Sequence, residues 1–172
     1  MEYNGPKFII NDLPFIDNDK PGGGFKKVEF LYAIDGDTCN FIIDNKNVRV
    51  RFFAIDTPEI KKEQEYSISA KDFVNDKLKN AKEIYLQTDP SDNLYDDTPT
   101  HRLLAWVWID KQLLNYLLVK DGFAKIEYVY TDKLLYLNDL YKAESFAKEK
   151  KVNLYSIKME SAWCYLQLKI SV

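Results

Sequence analysis

The clearest hydrophobic pattern in the chain is a group of three short apolar runs separated by turn residues. Residues 28–33 and 39–43 are rich in β-branched and aromatic side chains, and Asp35-Gly36 lies between them. A third run, residues 48–55, follows the turn-like segment 44–47. Apolar runs of this length, bounded by Asp, Asn and Gly, are typical of β-strands. The pattern therefore predicts three consecutive antiparallel strands that form a meander.

Helical and extended patterns alternate along the rest of the chain. Apolar residues recur at helical spacing over residues 66–81, and strands are predicted for residues 84–86 and 103–109. Residues 112–120 predict a short helix that a glycine ends, and residues 137–150 predict a longer amphipathic helix with a charged outer face.

The composition agrees with one compact domain. The chain has 172 residues, of which 46% are hydrophobic and 15% aromatic, which is enough for a core and unlike a disordered chain. No stretch is long and apolar enough to predict a membrane span, and the first six residues lack the pattern of a secretory signal. The net charge of −3 and the pI of about 5.3 predict weak long-range attraction to polyanions.

Two carboxylates are predicted to converge in the meander. Asp37 lies in the turn after the first strand and Asp56 at the end of the third, and these two points can lie side by side. Converging carboxylates repel one another unless a cation lies between them. Calcium and magnesium bind carboxylate and carbonyl oxygens, whereas zinc prefers histidine or thiolate, and the chain has one histidine and two distant cysteines. The pattern predicts a calcium or magnesium site.

An arginine and a third carboxylate accompany these two. Arg51 lies five residues before Asp56, so both reach one site only if a bulge or the end of the strand intervenes. Arginine suits phosphate because its planar guanidinium stays charged and donates two parallel hydrogen bonds. Glu59 follows Pro58, which ends strand pairing and begins a loop that can hold a carboxylate near a metal-side water. These residue types at this spacing indicate a metal-assisted phosphodiesterase.

Several short motifs occur in a fixed order within residues 25–156. They are Asp35-Gly36-Asp37-Thr38, Arg51, Asp56-Thr57-Pro58-Glu59, Arg102-Leu103-Leu104-Ala105, Asp121-Gly122-Phe123-Ala124, Tyr128-Val129-Tyr130, and residues 144–151 followed by Val152-Asn153-Leu154-Tyr155-Ser156. Their order, and nearly their spacing, resemble those of the same motifs in the staphylococcal nuclease, or thermonuclease, family. A series of motifs in one order is far more specific than any one of them.

The resemblance implies a fold and an activity. The implied fold is mainly β with helices (α+β), a five-stranded OB-fold barrel packed with three α-helices. The implied activity is a calcium-dependent endonuclease, with magnesium the less favoured metal, that cleaves DNA and RNA and leaves 3′-phosphate and 5′-hydroxyl ends. The expected substrates are single-stranded or unpaired nucleic acids. A secreted or cell-surface location and a monomeric state are also expected.

The resemblance also implies a metal site, residue by residue. By position, Asp37 and Asp56 bind the metal through their side chains and Thr57 through its backbone carbonyl. Asp35 supports these ligands without binding the metal itself.

The same transfer by position assigns the residues that act on the substrate. Arg51 and Arg102 hold the scissile phosphate, and Glu59 activates or positions the attacking water. Tyr128 and Tyr130 line the nucleotide site.

The chain is expected to have three parts, of which the resemblance covers the middle one. Residues 1–24 are expected to be an N-terminal arm or linker that ends in a flexible joint, Pro21-Gly22-Gly23-Gly24. Residues 25–156 form the OB-fold domain. In residues 157–172 apolar and polar side chains alternate at the end, which predicts a strand that pairs with a sheet edge of its own domain or of a second copy. An irregular tail packed on the barrel is an equal alternative.

Two other functional classes compete with the nuclease. One is a non-catalytic OB-fold module that binds nucleic acid or protein, and the retained acidic residues and arginines argue against it. The other is a structural domain that binds partners through its arm and its C-terminal strand.

For some single residues we expect a structural role rather than a functional one. His101 adjoins Arg102, but alternation along the strand turns it away from the site, so we expect no catalytic role. Trp106 and Trp108 share one strand face and are expected in the core. Cys39 and Cys164 are expected to be thiols rather than a mutual disulfide.

Overall fold

The computed structural model describes residues 2–156. Within this range the helices are α1 (Ser67–Asn80), α2 (Leu114–Lys120) and α3 (Leu137–Lys150), with short 3-10 turns at Ile60–Lys62 and Asn153–Tyr155. The strands are β1 (Ile16–Asp17), β2 (Lys20–Pro21), β3 (Phe25–Lys27), β4 (Glu29–Asp35), β5 (Thr38–Ile43), β6 (Lys46–Phe52), β7 (Ile55–Asp56), β8 (Ile84–Gln87), β9 (Leu103–Ile109), β10 (Gln112–Leu113) and β11 (Lys125–Ile126).

The main sheet has the order β3-β8-β9-β6-β5-β4, and its two ends belong to the same run of chain. Only Val28 separates β3 from β4, and its N–H donates to the carbonyl of Ile84 at 3.0 Å, which continues the pairing with β8. The sheet thus curls until its ends meet in one strand. This is the five-stranded OB-fold barrel expected from the resemblance, and the described residues also include the three expected α-helices.

The third predicted strand is interrupted where the sequence suggested a continuous run. Residues 48–55 form the end of β6 and the start of β7, and Phe53-Ala54 separates the two strands. Ala54 has a φ of 58°, a left-handed conformation that an extended strand cannot contain. The Phe53 N–H still donates to the carbonyl of Ala105 at 3.0 Å, so the break stays attached to the barrel. This break is the strand end that the spacing of Arg51 and Asp56 required.

The core lies inside the barrel and under α2 and α3. Trp106 and Trp108 are fully buried there, as expected, and each indole N–H donates to a side chain on the β8 side. Trp106 donates to Asp89 at 2.9 Å and Trp108 to Gln87 at 3.1 Å. Cys39 is also fully buried. Because buried indole N–H groups need acceptors, these contacts make the aromatic core possible.

The N-terminal arm packs on the barrel, and the glycines of the expected joint lie in close contact with neighbouring backbone. The N–H of Gly23 donates to Thr88 Oγ1 at 3.0 Å, and a side chain at Gly24 would overlap the carbonyl of Leu13. Phe8 packs edge-on against Phe25 with ring centroids 5.0 Å apart. The glycines therefore allow close contact between backbones, a role that the local sequence alone does not distinguish from that of a joint.

Two predictions concern residues outside the described range. The C-terminal strand predicted within residues 157–172 and the state of Cys164 belong to that segment. Between residues 2 and 156 no helix is long and apolar enough to cross a membrane.

Candidate active site

A cavity of about 660 Å³ opens at one side of the barrel, between the β4–β5 turn, β6, the start of β9 and the segment after β11. All nine residues that the sequence assigned to the site line this cavity. They are Asp35, Asp37, Arg51, Asp56, Thr57, Glu59, Arg102, Tyr128 and Tyr130. The tertiary structure therefore brings together residues that span almost a hundred positions of the chain.

Asp37 is anchored at the floor of the cavity. Its side chain is almost completely buried and accepts hydrogen bonds from the Thr57 N–H at 2.7 Å and the Thr57 hydroxyl at 3.0 Å. The Thr38 hydroxyl donates to its other oxygen at 2.9 Å. A Cβ at Gly36 would lie 2.9 Å from the Thr57 side chain, so the glycine allows this close approach. The site thus holds one carboxylate in a single orientation.

Arg51 lies beside the carboxylates of Asp37 and Asp56. Its Nη1 donates to the carbonyls of Phe52 at 2.9 Å and Ile55 at 2.7 Å, which are the carbonyls on either side of the strand break. Its Nη2 lies 3.5 Å from Asp37 and 3.4 Å from Asp56. The first two contacts fix the guanidinium plane. The longer contacts of Nη2 leave donor capacity for a phosphate oxygen.

Asp56 is the carboxyl with the most perturbed acidity in the site. Burial raises its pKa to about 6, and the negative charge of Asp37 adds to this rise, while Arg51 opposes it. Glu127 contributes further, through its charge and through a hydrogen bond that favours the protonated form of Asp56. Because burial and Asp37 disfavour the ionised form of Asp56, a cation bound beside Asp56 would stabilise that form.

The donor set fits a hard divalent cation. Asp37 and Asp56 both contact the same Arg51 nitrogen, so their carboxylates face a common space, and Thr57 joins the two through its backbone. Among the described residues no cluster of three His, Cys, Asp or Glu side chains is placed to hold a metal. The side chains that this space offers to a cation are therefore two carboxylates, and carboxylate oxygens suit calcium or magnesium rather than zinc.

We expect the Asp56→Asn variant to be more stable than the parent at pH 7 in the presence of chelator. The folded parent holds a proton on Asp56 more tightly than the unfolded chain, so its metal-free stability falls as the pH rises from about 4 to about 6. The variant lacks this loss. The side chain is about one-third exposed, so solvent screening reduces the gain, and a rise in Tm of about 2–4 °C is expected.

Thermal unfolding at pH 4 and pH 7, with chelator and with calcium, checks this. Calcium should raise the Tm of the parent at pH 7 and raise that of the variant much less. Equal calcium-induced shifts in the two proteins would show that Asp56 is not a ligand.

Arg102 reaches the cavity from the start of β9. The parallel pairing of Arg51 with Leu104 places β9 beside β6. Asp96 accepts hydrogen bonds from the Arg102 side-chain Nε at 2.6 Å and from its backbone N–H at 3.0 Å. Burial alone would raise the pKa of Asp96, but hydrogen bonds from Thr98 and Arg102 outweigh this and lower it. Asp96 therefore stays ionised and orients the guanidinium toward the cavity.

We expect Asp96→Asn to lower the rate of substrate cleavage by about tenfold, because Arg102 loses its charged orienting partner. The matched control is His101→Ala, since His101 is a neighbour that is exposed and does not line the cavity. His101→Ala should leave the rate within about twofold of the parent. A collapse of the rate in folded His101→Ala would overturn the non-catalytic reading of this histidine.

Glu59 and the two tyrosines, Tyr128 and Tyr130, form the exposed rim of the site. Glu59 carries an ion pair with Lys62 at 3.0 Å, and its N–H donates to Gln64 at 2.7 Å. Tyr128 is 57% exposed with its ring 5.4 Å from the Arg51 guanidinium carbon, and Tyr130 is 78% exposed. Exposed aromatic rings in a cavity that also contains arginines are suited to contact a nucleotide base.

Three residues of the site escaped the sequence analysis. Asp96 orients Arg102, Glu127 adjoins Asp56, and Tyr95 lines the cavity with 46% of its surface exposed. The segment 92–98 has no regular secondary structure apart from a single bridge between Tyr95 and Leu103. A signal existed only for Glu127, which adjoins the tyrosine motif in sequence.

The chain is similar to known nucleases. A family model described as "Staphylococcal nuclease homologue" matches residues 49–157. Endonuclease YncB of Bacillus subtilis is 34% identical over 128 residues, which cover 72% of this chain and 59% of the relative. The SPbeta prophage-derived endonuclease YokF of the same organism is 34% identical over 128 residues, 72% of this chain and 42% of the relative. This chain thus spans less than two-thirds of the length of these two relatives.

A third relative matches over most of both chains. The thermonuclease of Staphylococcus hyicus is 29% identical over 154 residues, which cover 87% of this chain and 88% of the relative.

Proposed function

The chain belongs to the staphylococcal nuclease family, and we propose that it is a calcium-dependent endonuclease that hydrolyses phosphodiester bonds of DNA and RNA. The observation that carries the proposal is one cavity that contains two carboxylates for a cation, two arginines for a phosphate and an accessible glutamate. The products that we propose carry 3′-phosphate and 5′-hydroxyl ends.

Charge in the cavity supports a requirement for metal. The lining residues include seven acidic side chains and three basic ones. This excess of negative charge repels a phosphodiester unless a cation offsets it. A calcium ion held by Asp37, Asp56 and the Thr57 carbonyl would supply positive charge that polarises a phosphoryl oxygen. Asp35, which lines the cavity in the row of Thr38, adds negative charge that favours cation binding without contacting the ion itself.

The chain's own residues divide the remaining work. Arg51 and Arg102 donate hydrogen bonds to the phosphate oxygens, where negative charge grows as water attacks the phosphorus. The bond from phosphorus to the 5′-oxygen breaks, and this oxygen takes a proton from solvent to become the 5′-hydroxyl. Glu59 accepts a proton from that water, or positions it, from the rim of the cavity. For this, Glu59 must release Lys62, which its exposed position permits at little cost because such an ion pair is weak.

The substrate contacts favour an unpaired strand. Tyr128 and Tyr130 are exposed at the mouth of the cavity, and we propose that they stack on or pack against bases near the scissile bond. Bases in a duplex are not available for such contacts, so single-stranded or unpaired nucleic acid is the expected substrate. We further propose that the protein acts as a monomer outside the cell or at its surface.

Cleavage of denatured DNA and of RNA by the parent protein tests the proposal, with calcium, with magnesium and with chelator. Cleavage in calcium that disappears in chelator and leaves 3′-phosphate ends supports the calcium-dependent endonuclease. Cleavage that needs magnesium and not calcium would show that the metal is magnesium. Binding without cleavage in any metal by the folded protein would favour a non-catalytic binding module.

A further inference from the structure

Outside the cavity, a row of polar side chains continues along the same face of the barrel. The strand pairings align Asp35, Thr38 and Arg51 in one row across β4, β5 and β6. The next row along the same face is Tyr32, Asn40 and Arg49. Directly paired residues share a face of a sheet, and so do residues two apart on one strand.

The second row points outward, away from the core. Cys39 and Val50 alternate with Asn40 and Arg49, and both are fully buried in the barrel interior. Arg49 is exposed on the outer face. On β5 and β6 the two rows are about 6.6 Å apart, as two residues of strand rise require. On β4 a second shift of the pairing, between Ala33 and Asp35, keeps Tyr32 and Asp35 on the same face. A nucleic-acid strand that leaves the cavity along this face therefore meets the second row next.

A bulge brings Tyr32 into this row. Phe30 pairs with Phe41 and packs against its ring, so Phe30 faces inward. Regular alternation would point Tyr32 inward as well, but the pairing shifts at Leu31 and aligns Tyr32 with Asn40. The extra residue turns Tyr32 outward, where 47% of its surface is exposed. An aromatic ring turned out of the core by a bulge is available to stack on a base.

Arg49 carries a charge that the described residues do not neutralise. The ion pairs within residues 2–156 do not include it. Its Nε instead donates to the Asn40 side-chain oxygen at 3.4 Å, and Asn40 in turn donates to Asn47 at 2.7 Å. Asn40 is only 5% exposed, so it is a fixed support for the arginine. The terminal nitrogens of Arg49 remain available for an anion.

We propose that Tyr32 and Arg49 form a second nucleotide subsite, in which Arg49 contacts a phosphate and Tyr32 stacks on a base of the strand beyond the scissile bond. This inference rests on the proposed nuclease function and extends it to longer substrates. Asn40 is a positioning residue that orients Arg49. The subsite adds positive charge outside a cavity that is itself rich in carboxylates. This suits a polyanion, because only the phosphate that is cleaved lies beside the metal and the next phosphate needs another cation.

The experiment compares kcat/KM on a ten-nucleotide single strand and on a dinucleotide for the parent, Arg49→Ala and Tyr32→Ala. Each variant should lose about tenfold on the ten-nucleotide strand and less than twofold on the dinucleotide. Lys46→Ala is the matched control for charge, because Lys46 is exposed on the same strand but out of the row. Tyr141→Ala is the control for an exposed tyrosine, since Tyr141 lies on α3.

Binding provides a readout that does not need cleavage. In a Glu59→Gln background with calcium, fluorescence anisotropy measures the affinity for the same strand at several salt concentrations. Arg49→Ala should weaken binding and reduce the magnitude of the salt slope by about 0.7, as expected for one lost phosphate contact to a single strand.

The outcomes separate the two proposals. A parent that cleaves both substrates, with Arg49→Ala and Tyr32→Ala unchanged on the longer strand, overturns the subsite and leaves the nuclease intact. A parent that cleaves neither substrate overturns the nuclease proposal. The anisotropy measurement then tests the subsite by itself. Equal losses of kcat/KM in Arg49→Ala and Lys46→Ala would show general electrostatic attraction and overturn a specific subsite. Absence of measurable binding to the strand would also overturn the subsite.

Discussion

Arg51→Lys is expected to lower the rate of phosphodiester cleavage by on the order of a hundredfold or more. Arg51 is 7% exposed, and its Nη1 already serves the carbonyls of Phe52 and Ile55, while Nη2 faces Asp37 and Asp56. Lysine offers one ammonium group in place of this fork. It cannot satisfy the two carbonyls and still present a donor to the phosphate.

The loss must be separated from unfolding, because Arg51 also supports the strand break. Thermal unfolding of the variant shows whether it is folded at the assay temperature. The calcium-induced rise in Tm shows whether the carboxylates still bind the ion. A folded Arg51→Lys variant that binds calcium and cleaves at the parental rate would remove Arg51 from the chemistry.

Glu59→Gln is expected to lower the cleavage rate by about 10² to 10⁴-fold, the range typical for loss of a general base. The amide keeps the size of the side chain but cannot accept a proton from water. Glu59 is exposed at the rim and is not among the core residues, so the variant should unfold at nearly the parental temperature. The rate of single-strand cleavage in saturating calcium measures the effect.

Lys62→Ala is the matched control for Glu59→Gln. It breaks the same 3.0 Å ion pair but leaves the carboxylate in place, so its rate should equal or exceed that of the parent. Similar losses in both variants would mean that the ion pair holds the loop rather than that Glu59 acts on water. Calcium-linked stabilisation should persist in both, because neither residue binds the metal in this assignment.

Local patterns account for most of the fold. The alternation and the turn residues placed the strands, and helix α3 spans the predicted residues 137–150. The prediction of α2 was too long at its start, because Gln112 and Leu113 form β10 instead. There the chain completes a hairpin with β9, and pairing across the sheet outweighs helical spacing over two residues.

The arm shows where local composition leaves the role of a residue open. A run of three glycines next to a proline has the composition of a joint, and sequence patterns contain no information about what the glycines touch. The structure places Gly24 against the backbone of residues 13 and 14, with its N–H donating to the carbonyl of Pro14 at 3.0 Å. Close backbone packing and flexibility both require glycine, so only the tertiary contacts separate them.

The sequence by itself determined nine of the residues that line the site. Aspartates, arginines and a glutamate at the ends of predicted strands are the residue types that a cation and a phosphate need, and all of those assigned line one cavity. Their chemistry is a property of each side chain and does not depend on the fold. Their resemblance to a family added the roles, which the proposed experiments test.

Only the tertiary structure decided how these residues act on one another. The left-handed Ala54 breaks the strand and lets Arg51 and Asp56 share a site, although strand alternation alone separates them. Burial, Asp37 and Glu127 set the acidity of Asp56, and Asp96 orients Arg102. These effects depend on distances between residues far apart in sequence, and such distances exist only after the barrel has closed.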